Sequence, residues 1–120
     1  MPWVVEYTDA FEAWWETLGS AAQDDVAAVV GVLEQRGPRL PFPYSSAIAG
    51  SRHGHMRELR VQSGGDPLRV FYAFDPRRVA ILLVGGSKVG NGRFYERMIP
   101  RADQLYDDHI DELRREGLIP

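Results

Sequence analysis

Three apolar runs with strand alternation, 56–62, 68–75 and 79–84, follow one another through connections of only a few residues, Ser63-Gly64-Gly65-Asp66-Pro67 and Asp75-Pro76-Arg77-Arg78. Connections that short cannot hold a crossover, so neighbouring runs must pair antiparallel in one sheet. Such a sheet needs helices to cover its apolar side, and the chain carries helical patterns on both flanks. Asp9 and Glu12 have capping-box spacing, and Phe11, Trp14, Trp15 and Leu18 follow at i, i+3, i+4, i+7, which predicts a helix ending at Gly19. Ser20 with Gln23, then Val26, Val29, Val30 and Leu33, repeat the pattern as far as Gly37-Pro38. Beyond the strands a glycine-rich turn, 85–92, leads into helical sequence over 93–116, which Pro100 is expected to divide. The β-branched and aromatic run Trp3–Tyr7 predicts one more strand at the start. The order β-α-α-β-β-β-α segregates helices from strands and defines an α+β fold.

A length of 120 residues fits one domain over 1–120 and excludes large cofactor-binding enzymes. The absence of cysteine excludes disulfides, thiolate zinc sites and cysteine nucleophiles. No basic segment followed by an apolar one opens the chain, and the longest apolar run, 79–84, is too short to span a bilayer. A cytoplasmic protein without membrane association is therefore expected. The stretch 38–55 is rich in proline and small polar residues and is read as a long irregular connection, a length that favours a functional loop.

Charge is unevenly placed. Ten basic residues lie between Arg52 and Arg101 against four acidic ones, whereas 1–51 carries two basic against seven acidic and 102–120 two against six. A basic middle between acidic flanks suits an anion-binding face, and a salt-bridged surface would produce the same pattern.

Alternation places Arg57, Leu59 and Val61 on one side of their strand and Met56, Glu58, Arg60 and Gln62 on the other. In the next strand Arg69 shares a side with Phe71, Ala73 and Asp75, a charge entering an apolar strand. Either it serves chemistry or its stem snorkels and its head pairs with Glu58 or Asp75. Lys88 is the only lysine among fourteen basic residues, and its glycine neighbours would let a phosphate approach. The turn lacks the Gly-Lys-Ser/Thr order of a P-loop. His53 and His55 are candidate acid–base groups; with no third ligand near them, and His109 in a solvated helical run, no metal is expected. Phe94 and Tyr95 could stack on bases or belong to the core.

Glu58-Leu59-Arg60, Leu68-Arg69-Val70-Phe71-Tyr72, and Ile81–Lys88 leading to Arg93-Phe94-Tyr95-Glu96 stand in an order that resembles the RelE/HigB toxins of type II toxin–antitoxin systems, in particular the phage-derived HigB-like branch. The resemblance covers nearly the whole chain and is strongest over 56–106. It implies a microbial-RNase-like fold with a small antiparallel sheet, helices packed on one face and an RNA-binding concavity on the other. It also implies an mRNA endoribonuclease acting on the ribosome without a metal or cofactor, through the ribose 2′-OH. Arg69 matches the arginine that would hold the scissile phosphate, Lys88 lies near the family's basic residue after the last strand, and Tyr95 near its C-terminal aromatic. Arg57, Arg60, His55 and Arg93 are the RNA-binding set so implied. The expected partners are mRNA, the ribosome and a cognate antitoxin with a helix-turn-helix. A ParE-like gyrase-binding toxin without nuclease activity and an inactive antitoxin-binding relative are the alternatives.

Overall fold

The computed structural model describes residues 2–90 and 92–120; Met1 and Asn91, the latter in the glycine-rich turn, lie outside the described residues. The elements run β1 (Val5–Tyr7), α1 (Asp9–Glu16), α2 (Ser20–Arg36), a 3-10 turn at Gly37–Arg39, β2 (Ser45–Ala47), β3 (Arg57–Ser63), β4 (Asp66–Phe74), β5 (Ala80–Ser87) and α3 (Phe94–Arg115). The α+β class is as the sequence indicates, and β3, β4 and β5 pair antiparallel through their short turns. No helix among the described residues is long and apolar enough to cross a membrane.

Four features differ from expectation. The sheet is mixed rather than purely antiparallel. Its order is β1-β5-β4-β3-β2, and β1 runs parallel to β5, with Val5 opposite Ala80 and Tyr7 opposite Leu82. Parallel pairing needs a long crossover, and everything from α1 to β4 supplies it. Second, the proline-rich connection contains a strand, β2, paired antiparallel with the outer edge of β3. Its residues, Ser-Ser-Ala, have little strand propensity; tertiary contacts hold it, since the buried Ser45 hydroxyl bonds Tyr72 Oη at 2.6 Å and accepts from Arg57 Nε at 2.8 Å.

Third, helices cover both faces of the sheet, not one. α1 and α2 pack Phe11, Val26 and Leu33 on Leu59, Val61, Leu68, Val70, Tyr72 and Leu82. α3 packs Phe94, Met98, Ala102 and Tyr106 on Met56, Phe71, Ala73, Ile81 and Leu83 on the opposite side. That second face is apolar because β4 and β5 present hydrophobic residues at both parities, so one helical layer cannot bury them all. Fourth, Pro100 does not divide α3. It forfeits one bond, to the carbonyl of the exposed Glu96, while Met98 and Ala102 on either side of it are buried on the sheet.

The N-terminal helix is capped by Thr8, whose hydroxyl accepts from Phe11 N and donates to Leu83 O at 2.6 Å, tying the start of α1 to β5. Gly85 lets α1 lie against that strand, because a Cβ there would meet the Trp14 ring at 2.4 Å. On the other side, polar clasps fasten α3. Asp103 accepts from Ser51 Oγ and Arg52 N, Asp107 pairs with His53 at 2.9 Å, and Asp75 receives both His109 and Arg77. Of the basic centre, Arg52 pairs with Asp107 and Arg77 with Glu6 in the acidic segments, whereas Arg60, Arg69 and Arg93 pair with Glu58 and Glu96 inside the centre.

Candidate active site

α3 covers only the part of its face that is apolar. Beyond its N-terminal turn the strands present charge instead, because β3 and β4 pair in a register that sets Arg60 directly opposite Arg69. Two cations facing each other across a ladder repel, and Glu58, two residues along the same side of β3, lies between their heads. Its carboxylate is 3.6 Å from Arg69 Nε and 3.7 Å from Arg60 Nη1, distances of ionic contact but not of hydrogen bonding. Tyr95, on the first turn of α3, donates its hydroxyl proton to Glu58 Oε1 at 2.6 Å. The Lys88 ammonium, on the segment after β5, sits 5.1 Å from the centre of the Tyr95 ring.

Arg69 is 6% exposed and Glu58 4%. Arg69 Nη1 donates to Leu68 O at 3.0 Å, but its Nε is buried with no hydrogen-bond partner. A buried guanidinium N–H without an acceptor is costly, and here the Glu58 carboxylate at 3.6 Å offsets it through charge alone. Burial, and after it the Glu58 carboxylate, push the Tyr95 phenol above its ordinary value near 10, with Arg69 pulling the other way. Tyr95 therefore remains a protonated donor at neutral pH.

The sequence candidates fall into two groups. Arg69, Lys88, Tyr95 and Arg60 converge on this cluster. Arg57 lies on the other side of the sheet, opposite Tyr72, where it secures β2 through Ser45. His55 is held against the middle of α3, its Nε2 3.0 Å from Tyr106 Oη. That hydroxyl gives its one proton to Phe74 O, so His55 Nε2 is the donor to Tyr106. Arg93 is exposed at the N-cap of α3, 4.0 Å from Glu96. Phe94 is core. Glu58 was weighed in the sequence only as a salt-bridge partner, although its shared parity with Arg60 already placed it on the polar side of β3.

Burial, and after it the neighbouring His53, lower the His55 pKa below 6.5. A depressed pKa means that the unfolded chain binds the proton more readily than the folded one. The stability that neutral His55 contributes is complete above pH 6.5 and is lost as pH falls through the lower, folded value. Thermal melting at pH 7.5 and 5.5 checks this: the drop between them should shrink in His55→Gln, and an equal drop in both proteins refutes it.

The model of the phage-derived Gp49-like proteins matches residues 13–107. Among curated proteins the chain is 38% identical to the putative toxin HigB2 of Mycobacterium tuberculosis over 85% of its own length and 52% of that protein's. It is 42% identical to the putative toxin HigB3 of the same organism, over 82% of this chain and 86% of that one. The chain thus spans about half the length of HigB2 and most of HigB3. Among solved structures, a mutant of the Escherichia coli toxin RelE in the free state superposes with a TM-score of 0.61 at 16% identity, covering 84% of this chain and 98% of that one. The RelBE2 toxin–antitoxin complex of M. tuberculosis contains a chain that matches with a TM-score of 0.55 at 16% identity, over 73% of this chain and all of that one. At such identity these two likenesses concern the fold.

Proposed function

This chain belongs to the phage-derived Gp49-like family, within the RelE/HigB-type toxins, and from that premise we propose that it is the toxin of a toxin–antitoxin pair and an endoribonuclease acting on mRNA at the ribosome. The observation that carries the nuclease reading is the convergence of two arginines, Arg69 and Arg60, set opposite each other in the sheet, with a carboxylate, a tyrosine and a lysine, Glu58, Tyr95 and Lys88. The antitoxin partner is carried over from the toxin–antitoxin complexes that share this fold.

The cluster contains the groups that cleavage through the 2′-OH requires. Attack of the 2′-oxygen on phosphorus makes a 2′,3′-cyclic phosphate and breaks the bond to the 5′-oxygen. Arg69 and Arg60 stabilise the charge that builds on the phosphorane oxygens. Glu58 is the acid residue of the cluster and takes the 2′-hydroxyl proton once substrate displaces the Tyr95 hydroxyl from it. Tyr95, kept protonated, donates a hydrogen bond to the phosphorane, and the Lys88 ammonium gives a proton to the leaving 5′-oxygen. No step needs a metal.

The purified chain should cut mRNA on programmed ribosomes and leave 2′,3′-cyclic phosphate ends, and a 2′-deoxy substitution at the cut should block the reaction. Failure to cut RNA with or without ribosomes, together with inhibition of DNA gyrase, would replace this reading with the gyrase-binding one.

A further inference from the structure

We infer that the Phe42 ring is a stacking platform for a nucleobase next to the scissile phosphate, so that the site takes single-stranded RNA with at least one base turned out of its stack; this rests on the nuclease reading above. Phe42 is 68% exposed. Its backbone is fixed on both sides, because Pro41 and Pro43 restrict φ and Pro41 O accepts from Tyr44 N at 3.0 Å and Ser45 N at 3.1 Å. The segment is also anchored to β3, since Arg60 N donates to Tyr44 O at 2.8 Å. A large apolar ring is thus held out into solvent on a rigid turn, which is the arrangement of a preformed contact rather than of a mobile loop.

Arg60 links this ring to the site. Its guanidinium carbon lies 4.9 Å from the centre of the Phe42 ring, while its Nη1 reaches Glu58. One side chain therefore touches both the aromatic platform and the group assigned as the base. A phosphate held between Arg69 and Arg60 would place an adjoining base within reach of Phe42. Bases splayed out of single strands stack on aromatic rings and on arginine planes, and Phe42 with Arg60 offers both. The two aromatic residues that the sequence offers for stacking are already occupied, Phe94 in the core and the Tyr95 ring by Phe71, Phe94 and the Lys88 ammonium.

The test is steady-state cleavage by Phe42→Ala, Phe42→Leu and Phe42→Trp, in whichever setting, free RNA or programmed ribosomes, the parent protein cuts. Stacking on one aromatic side chain corresponds to roughly tenfold in affinity, that is about 1.4 kcal/mol. Phe42→Ala and Phe42→Leu should raise KM about tenfold with kcat changed less than twofold, and Phe42→Trp should restore the parent KM. A preference for a purine over a pyrimidine beside the cut should weaken in the first two variants. Melting temperatures should stay at the parent value because the ring is exposed. Unchanged KM in Phe42→Ala, or a leucine that serves as well as phenylalanine, overturns the stacking role while leaving the nuclease reading intact. A parent protein that cuts RNA in neither setting overturns both.

Discussion

Arg69→Ala is expected to slow RNA cleavage by a hundredfold or more, because removing one preorganised cation from a developing phosphorane typically costs about 3 kcal/mol. The same variant should melt lower, by roughly 1–3 kcal/mol of stability. Breaking a tight buried ion pair often costs about 3–5 kcal/mol, but this pair is loose. Glu58 has two other partners that the substitution does not remove, Tyr95 at 2.6 Å and Arg60 at 3.7 Å. Measuring rate and thermal unfolding on one preparation separates the two effects. Arg69→Lys sharpens the comparison, since it keeps the charge and loses the planar fork that suits phosphate. Cleavage at the parent rate by a folded Arg69→Ala would remove Arg69 from the chemistry and leave it as a structural charge.

The second large effect is expected at Glu58. Glu58→Ala leaves the Arg69 guanidinium buried without a counterion, and its Nε already lacks a hydrogen-bond acceptor. A loss of about 3–5 kcal/mol is expected, larger than for the arginine variant, because the orphan here has fewer remaining partners. Glu58→Gln is the more informative change. The amide oxygen can still accept from Tyr95, so folding should survive, but it cannot take a proton from a 2′-hydroxyl. Its rate should fall by about a hundredfold or more, within the usual range for a lost general base. A Glu58→Gln protein that cuts at the parent rate would refute the assignment of the base.

The polar side of β3 was legible in the chain itself, because alternation alone puts Glu58 and Arg60 on one side and Arg57 on the other, and in β4 it puts Arg69 on the side of Phe71 and Ala73. Their meeting was not legible. Arg60 faces Arg69 only in the observed register, and register depends on the geometry of the turn at Gly64-Gly65. The contact between Tyr95 and Glu58 depends on where α3 docks across 37 residues of chain, and no local pattern encodes that. The pairings of the sheet's two edge strands, β1 and β2, escaped for the same reason. A three-residue strand such as Val5–Tyr7 has no periodicity long enough to state its partner, and Ser45–Ala47 becomes a strand only because Tyr72 and Arg57 hold its serine. Phe42 was hidden differently: a proline-rich stretch is legible as irregular, but which of its side chains is left in solvent depends on tertiary placement.

The parallel pairing of β1 with β5 sets an order of events during synthesis. β1 has no partner until Ala80–Leu82 have followed it, and α1 cannot reach Leu83 or lean on Gly85 until those residues too are made. Contacts so far apart in sequence close late in folding. Tyr95 and the helix that carries it emerge later still. A nascent chain that has already exposed Glu58, Arg60 and Arg69 is thus still without a finished sheet edge and without its tyrosine, so the cluster is complete only once α3 has been made, and fragments that stop before residue 94 should lack any activity that depends on it.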